Sequence, residues 1–99
     1  MSHSDKIIIE PDYDIVSLNS NDLKEQILKY LNNGTQQIVI DLSQVNLVDS
    51  TGLSVMIAVH NSLKRMGNSL ELVNVSEDIL KLLKITRLDK HFVITESVH

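Results

Sequence analysis

Four consecutive residues, Asp49-Ser50-Thr51-Gly52, are the part of this sequence whose side-chain types and spacing could do chemistry. They place a carboxylate, two hydroxyls and a glycine at the start of a segment with helical periodicity. An apolar, strand-like segment, Ile38-Val39-Ile40, precedes them across a polar loop. A strand that delivers hydroxyls to a helix N-terminus is a common way to build a site for an anion or a phosphoryl group. This turn is therefore the first candidate for a functional site.

The simplest interpretation of the turn is a helix N-cap, in which side-chain oxygens accept free backbone N–H groups and contribute about 1 kcal/mol. A second is a hydrolytic serine. That chemistry needs a histidine base and usually a G-x-S-x-G elbow, whereas Val48 stands two residues before Ser50. A base would have to come from His60 or His91 through the tertiary structure, so this interpretation is disfavoured but stays open.

Nucleotide binding is a third interpretation. Phosphate-binding loops need several glycines, in G-x-G-x-x-G or G-x-x-x-x-G-K, and neither pattern occurs in a chain with three glycines. An aspartyl phosphate at Asp41 would need an acidic pair after the first strand and a matching lysine, and neither is evident. Both forms of phosphate chemistry are therefore disfavoured.

The fourth interpretation is a regulatory phosphorylation site at Ser50. A phosphoserine adds about −1.5 to −2 charges and three acceptor oxygens. A helix N-terminus favours such an anion by about 0.3–1 kcal/mol, so the fold would tolerate it. Beside Asp49 and an apolar patch, however, the phosphate would oppose docking of a partner. A penalty of about 3 kcal/mol would weaken binding roughly a hundredfold, which is a switch without a change of fold.

Composition limits the remaining possibilities. The 99 residues form one domain that can bury a core, with 42% hydrophobic and 22% charged residues and no cysteine. A formal net charge of −4 and 3% aromatic residues argue against nucleic-acid binding. No segment is long enough to span a membrane and no signal peptide is evident, so we expect a cytoplasmic protein. The four histidines, at positions 3, 60, 91 and 99, are too scattered to indicate a metal site, and no cofactor is expected.

Periodicity predicts a small α/β domain with helices against a mostly parallel sheet. The continuous apolar strand at 38–42 indicates burial on both faces. We expect residues 1–6 to be frayed and residues 12–18 to be a loop with a short extended piece. The predicted strands are 6–10, 38–42, 70–75 and 92–95; the predicted helices are 22–33, 50–66 and one capped by residues 76–78, with a short turn or one-turn helix at 85–90.

The second predicted helix carries two apolar residues outside its main apolar stripe. Counting 100° per residue, the predicted core positions are Val55, Met56, Val59, Leu63 and Met66. Leu53 and Ile57 fall roughly 110–150° away, on the flank that also carries Lys64. Leu53, Ile57 and Lys64 are therefore a candidate partner-binding patch beside the Ser50 turn. The alternative is that a neighbouring helix covers the two apolar residues.

Several segments resemble the STAS domain of bacterial anti-sigma factor antagonists. They are I-V-I-D-L-S at 38–43, V-D-S-T-G-L at 48–53, K-R-M-G-N-S-L-E-L-V-N at 64–74 and L-K-L-L-K-I-T-R-L-D-K-H-F at 80–92. The resemblance covers about residues 20–97. It implies a single domain with a mixed, mostly parallel sheet of four to five strands and about four helices, packed largely on one side.

The resemblance also implies a function. In that family a serine at the position of Ser50 is phosphorylated by a partner anti-sigma factor, which is an ATP-dependent serine kinase. A metal-dependent serine phosphatase removes the phosphate. The unphosphorylated protein captures the kinase and releases a sigma factor or controls another output. The domain itself is not an enzyme and is expected to be a monomer alone, with Asp49, Thr51 and Gly52 shaping the turn and Gly52 admitting the partner.

The chain departs from the family pattern at several positions. The family's G-E-[LI]-D segment corresponds here to Y-D-I-V at 13–16, without the glycine and the last carboxylate. Ser54 and Arg87 stand where glycines are common, and the short N-terminal segment predicts that the first strand of the family's usual pair is missing or reduced.

Two alternative functions stay open. One is a non-switching STAS scaffold, in a signalling complex or as a regulatory subunit of a transport system. The other, more weakly indicated, is an enzyme.

Overall fold

The computed structural model describes residues 6–95, and the structural statements below concern these residues. All four strands are parallel, in the spatial order β1-β2-β3-β4. The elements in chain order are β1 (Lys6–Ile9), α1 (Ser20–Asn32), β2 (Gln37–Asp41), α2 (Ser50–Lys64), β3 (Glu71–Val73), α3 (Glu77–Ile85), a 3₁₀ turn (Leu88–Lys90) and β4 (Val93–Thr95).

The sheet is covered by helices on one face. Strands that follow one another in a single direction with right-handed crossovers place every connecting helix on the same side. The register confirms which side this is. One row across the strands, Ile9, Ile40, Leu72 and Ile94, belongs to or packs against the core. The neighbouring row lies on the opposite face, and its outer members Ile8 and Val93 are exposed.

The α/β class and the parallel pairing are confirmed, while two details of the predicted fold are wrong. The described sheet has four strands with no antiparallel member, rather than a mixed sheet of four to five strands. Three α-helices are described rather than about four, because α3 ends where Arg87 takes a left-handed φ of 63° and the chain continues as the 3₁₀ turn. Similarly, β3 is shorter than predicted, since Asn74 has a φ of 55°.

Two core assignments on α2 are corrected by the structure. Met66 is exposed rather than buried, because α2 ends at Lys64 and the helical periodicity no longer applies in the turn at Gly67, where φ is 81°. Leu53 is 8% exposed and belongs to the core. The buried arc of α2 therefore spans about 160° rather than a narrow stripe, since this helix has neighbours on both sides.

The predicted loop at 12–18 does contain a short extended piece, because Ile15 forms an isolated parallel bridge with Val48. Of the residues expected to be frayed, 1–5 lie outside the described residues, and Lys6 is the first residue of β1. A strand preceding β1 would also fall among residues 1–5. Within residues 6–95, no helix combines the length and the apolar character needed to cross a membrane.

Candidate functional site

The turn before α2 is a complete N-cap. Asp49 is the capping residue, with extended backbone, and its Oδ1 accepts the N–H of Gly52 at 2.8 Å. Ser50 is the first residue of α2, and both Ser50 and Thr51 are exposed. The N-cap interpretation is therefore confirmed for Asp49, and it leaves the Ser50 side chain on the surface.

Asp49 also connects this turn to the loop before α1. Its second carboxylate oxygen, Oδ2, accepts the N–H of Ser17 at 2.9 Å. Asp14 makes the reciprocal contact, since its Oδ1 accepts the N–H groups of Asn46 and Leu47 at 2.9 and 3.1 Å. Each loop thus supplies one carboxylate that holds the backbone of the other loop.

The two loops are joined through their backbones as well. Ile15 N–H donates to the Leu47 carbonyl at 3.0 Å, and Asp49 N–H donates to the Ile15 carbonyl at 3.2 Å. We call residues 13–18 and 45–52, held together in this way, the clasped loops. Ser50 therefore stands on a turn that is fixed from both sides rather than on a free loop.

The hydrogen bonds to Asp49 lower the pKa of its carboxyl below the ordinary value. The largest cause is the N–H of Gly52, followed by that of Ser17, because each N–H stabilises the ionised form. Asp49 therefore stays negatively charged beside the Ser50 hydroxyl at any physiological pH.

Gly52 is needed for the fold of the clasped loops. A Cβ at this position would collide with the carbonyl oxygen of Ile15. The neighbour that this glycine admits is therefore the chain's own loop. Its expected role in admitting a partner stays a prediction.

The three predicted partner contacts lie in different environments. Leu53 is packed in the core, Ile57 is half-buried and Lys64 is exposed. At 1.5 Å per residue, Ile57 and Lys64 stand about 10 and 21 Å from Ser50 along the helix axis. Steps of seven residues place Ser50, Ile57 and Lys64 along one face of α2, so only a partner that extends along the helix could contact all three. The buried Leu53 presents little side chain to a partner.

Two exposed leucines on the clasped loops were missed by sequence reasoning. Leu18 is 90% exposed and follows Ser17, which donates to Asp49. Leu47 is 56% exposed and lies three residues before Ser50. The available signal was that each leucine stands in a polar loop and fits neither the helical nor the strand pattern of apolar residues. These two side chains lie on the two loops that meet at the Ser50 turn.

A polar groove separates the first turns of α1 and α2 next to Ser50. Its volume is about 280 Å³. The lining includes one cation, Lys24, and two hydroxyl residues of α2, Thr51 and Ser54. The lining residues are Ser17, Ser20, Asn21, Lys24, Thr51, Ser54 and Val55.

The arrangement does not support a hydrolytic serine. His60 lies ten residues after Ser50 on the same helix, about 15 Å along the axis. Its Nδ1 already accepts a hydrogen bond from the N–H of Leu70 at 3.4 Å. His91 packs against His60, with ring centroids 6.3 Å apart, so it belongs to the same distant region.

Asp41 has a structural environment rather than that of an acceptor aspartate. Its Oδ1 accepts the Ser43 N–H at 2.9 Å and the Asn74 side-chain amide at 3.0 Å. Burial raises the pKa of this carboxyl, but the hydrogen bonds from Asn74 and Ser43 together outweigh that effect and leave the pKa below its usual value. Across the described part of the chain, no three His, Asp or Glu side chains are grouped to hold a metal ion.

Comparison with known proteins agrees with this geometry. The model of the STAS domain family matches residues 1–99. An anti-sigma-B factor antagonist of Staphylococcus aureus is 31% identical over 76 residues, which cover 77% of this chain and 70% of the relative.

Solved structures share the fold. TM1081 of Thermotoga maritima superposes with a TM-score of 0.90 at 26% identity, over 99% of this chain and 85% of that one. The Bacillus cell fate determinant SpoIIAA, in its phosphorylated form, superposes with a TM-score of 0.76 over 100% of this chain and 88% of that one; at 13% identity this is a likeness of fold alone. The chain belongs to the STAS domain family, among the anti-sigma factor antagonists.

Proposed function

We propose that this domain is a phosphorylation-switched binding module with Ser50 as the acceptor. In its unphosphorylated form it binds an anti-sigma factor that is also an ATP-dependent serine kinase, and it thereby releases a sigma factor or controls another output. Phosphorylation of Ser50 ends this binding, and a serine phosphatase restores it. The domain acts as a monomer in the cytoplasm and catalyses no reaction itself, because the ATP belongs to the kinase.

The observation that carries the proposal is the exposed Ser50 hydroxyl on a rigid turn. A kinase must accommodate the acceptor hydroxyl in its own active site, and an exposed residue at the first position of a helix is accessible. The clasped loops already hold the turn, so the kinase does not have to order it. The names of the relatives, anti-sigma-B factor antagonists, support an anti-sigma factor as the partner class.

The same geometry gives a reason for the switch. A phosphate on Ser50 would find the nearby Gly52 N–H already bonded to Asp49. It would also lie beside a carboxylate whose pKa is lowered, so the two negative groups repel each other. The phosphate is then expected to remain hydrated at the surface. A partner that buries this surface must remove that water, which disfavours binding without a change of fold.

The surface we propose for the partner consists of Ser50 and the two exposed leucines, Leu18 and Leu47. Exposed leucines are ordinary when scattered singly. Here they lie on the two loops that hold the Ser50 turn, so a partner that covers the hydroxyl would also contact them. Ile57 and Lys64 remain predicted contacts only for a partner that extends along α2.

The experiment that tests the acceptor is incubation with a cognate anti-sigma factor kinase and ATP, followed by intact mass measurement. Wild type should gain one phosphate and Ser50→Ala none, while Thr51→Ala and Ser54→Ala should behave as wild type. Phosphate on Ser50→Ala would show that the acceptor is another residue. Binding of the same kinase should weaken roughly a hundredfold in Ser50→Asp. Equal affinity of Ser50→Asp and wild type would contradict the switch.

A further inference from the structure

A second concave site lies further along α2, toward its Lys64 end and about 10–16 Å from Ser50 along the helix axis. This cleft, of about 110 Å³, is formed between α2 and the segment that joins the 3₁₀ turn to β4. Its lining is Ile57, His60, Asn61, Leu88, His91 and Phe92. We refer to it as the histidine cleft.

The walls of the histidine cleft combine an apolar body with hydrogen-bond donors. Phe92 is buried and its ring contacts that of His60 edge to face, with centroids 5.3 Å apart. His60 Nδ1 accepts the N–H of Leu70, so the neutral imidazole carries its hydrogen on Nε2. That N–H and the Asn61 amide are donors that these two lining residues can offer to a ligand.

The surroundings of the histidine cleft are cationic. Lys64 follows His60 by four residues and Asn61 by three, which places it on the same side of α2, and its charge contributes to lowering the pKa of His60. Arg87 and Lys90 flank Leu88, against the single acid Asp89 in that segment. An apolar floor, neutral donors and a cationic rim together favour a group with a small hydrocarbon body and one negative charge.

We propose that the histidine cleft binds a compact carboxylate, a free acid of about six non-hydrogen atoms with a short branched body. The size follows from the volume, which is below the 150 Å³ or so of a cavity that holds benzene. The hydrocarbon body contacts Ile57, Leu88 and Phe92, and the carboxylate accepts from the His60 and Asn61 donors while facing Lys64. This site does not depend on phosphorylation of Ser50.

Isobutyrate is a suitable probe, and isobutyramide is its neutral analogue of the same shape. Titration of isotope-labelled protein, followed by NMR shifts of the His60 ring and the Asn61 amide, should give saturable isobutyrate binding with a Kd on the order of 1–10 mM. Isobutyramide should bind at least fivefold more weakly. Shifts that do not saturate, or equal affinity for the two probes, would overturn the proposal.

Variants locate the site. Lys64→Gln should weaken isobutyrate binding about fivefold, as expected for an exposed charge pair. Lys81→Gln, an exposed lysine on α3, is the matched control and should have no effect. Ile57→Phe, which fills the cleft from a half-buried position, should abolish binding while the remaining amide spectrum stays that of a folded protein. Ser50→Ala should bind as wild type. An equal loss in the two lysine variants, or retained binding in a folded Ile57→Phe, would contradict the assignment.

Discussion

The two ends of α2 differ in charge and in how they are built. At the Ser50 end, the clasped loops are held by carboxylates, Asp14 and Asp49, that accept backbone N–H groups. At the Lys64 end, a buried histidine and apolar side chains form the histidine cleft, with cations around it. One helix therefore separates an acidic, rigid surface from a cationic, concave one.

This difference follows from the topology. Because the four described strands are parallel and β1, β2 and β3 are each followed by a helix, the N-termini of these helices lie at the same edge of the sheet. Acids favour helix N-termini and cations favour C-termini, so the charges are sorted between the two edges. The Ser50 edge carries Glu10, Asp12, Asp14, Asp22, Asp41, Asp49, Glu77 and Asp78, together with Lys24; the opposite edge carries Lys6, Lys29, Lys64, Arg65, Lys84, Arg87 and Lys90, together with Glu71 and Asp89.

In the proposed switch, phosphorylation would act at this acidic edge. Ser50 lies at an edge that is already negative, so a phosphate there would not invert the local charge. The effect of such a phosphate would come from added bulk, from hydration and from the immediate repulsion by Asp49. The predictions below test whether the two ends of α2 are as different as this comparison implies.

The largest expected effect comes from opening the clasped loops. Gly52→Ala should reduce the free energy of unfolding by about 3 kcal/mol, since the added methyl group collides with the backbone of Ile15. Urea unfolding measures this change. Gly67→Ala, at the other end of the helix, is the matched control. It has open space around it and should cost only about 1 kcal/mol, from its positive φ. Equal losses would show that the two glycines are under the same constraint.

The next effect concerns binding rather than stability. Leu18→Ser and Leu47→Ser should each weaken binding of the partner kinase roughly tenfold, because each removes exposed apolar contact beside Ser50. Isothermal titration calorimetry measures the affinity. Ile85→Ser, at the end of α3, is an equally exposed control and should leave the affinity unchanged. If Ile85→Ser weakens binding and the other two do not, the partner occupies the opposite edge.

The smallest expected effect is a pH dependence at the histidine cleft. The pKa of His60 is lowered, first by burial and then by His91 and Lys64, so the folded state favours the neutral ring. The unfolded chain takes up a proton near pH 6.5, before the folded protein does. The stabilisation is therefore complete above about pH 6.5 and decreases as the pH falls toward the folded-state pKa.

Chemical denaturation at several pH values tests this dependence. His60→Asn keeps an acceptor near the Nδ1 position for the Leu70 N–H but does not titrate, so its stability should fall less than that of wild type as the pH is lowered from 7 to 5. Identical pH dependence in the two proteins would show that His60 does not contribute.

The helices and strands of this fold could be predicted from the sequence because the residue patterns that indicate them are local. N-cap residues before α1, the apolar continuity of β2 and the acidic first turn of α3 each depend on neighbours within a few positions. Helix α2 shows the limit of this reasoning. Its periodicity placed Val55, Met56, Val59 and Leu63 correctly, but it assigned Met66 to the core wrongly. For Leu53 it left open whether the side chain is exposed or covered, because the width of the buried arc and the end of the helix depend on what packs around them.

By itself the sequence determined that Asp49-Ser50-Thr51-Gly52 caps a helix and leaves a hydroxyl beside a carboxylate, since capping is a contact between near neighbours. Only the tertiary structure decided what surrounds that hydroxyl. The reciprocal contacts of Asp14 and Asp49 join residues 32 and 33 positions apart. The collision that requires Gly52 comes from Ile15, and the histidine cleft joins α2 to residues that precede β4. Such neighbours are set by the order of strands in the sheet, which no local pattern in the sequence encodes.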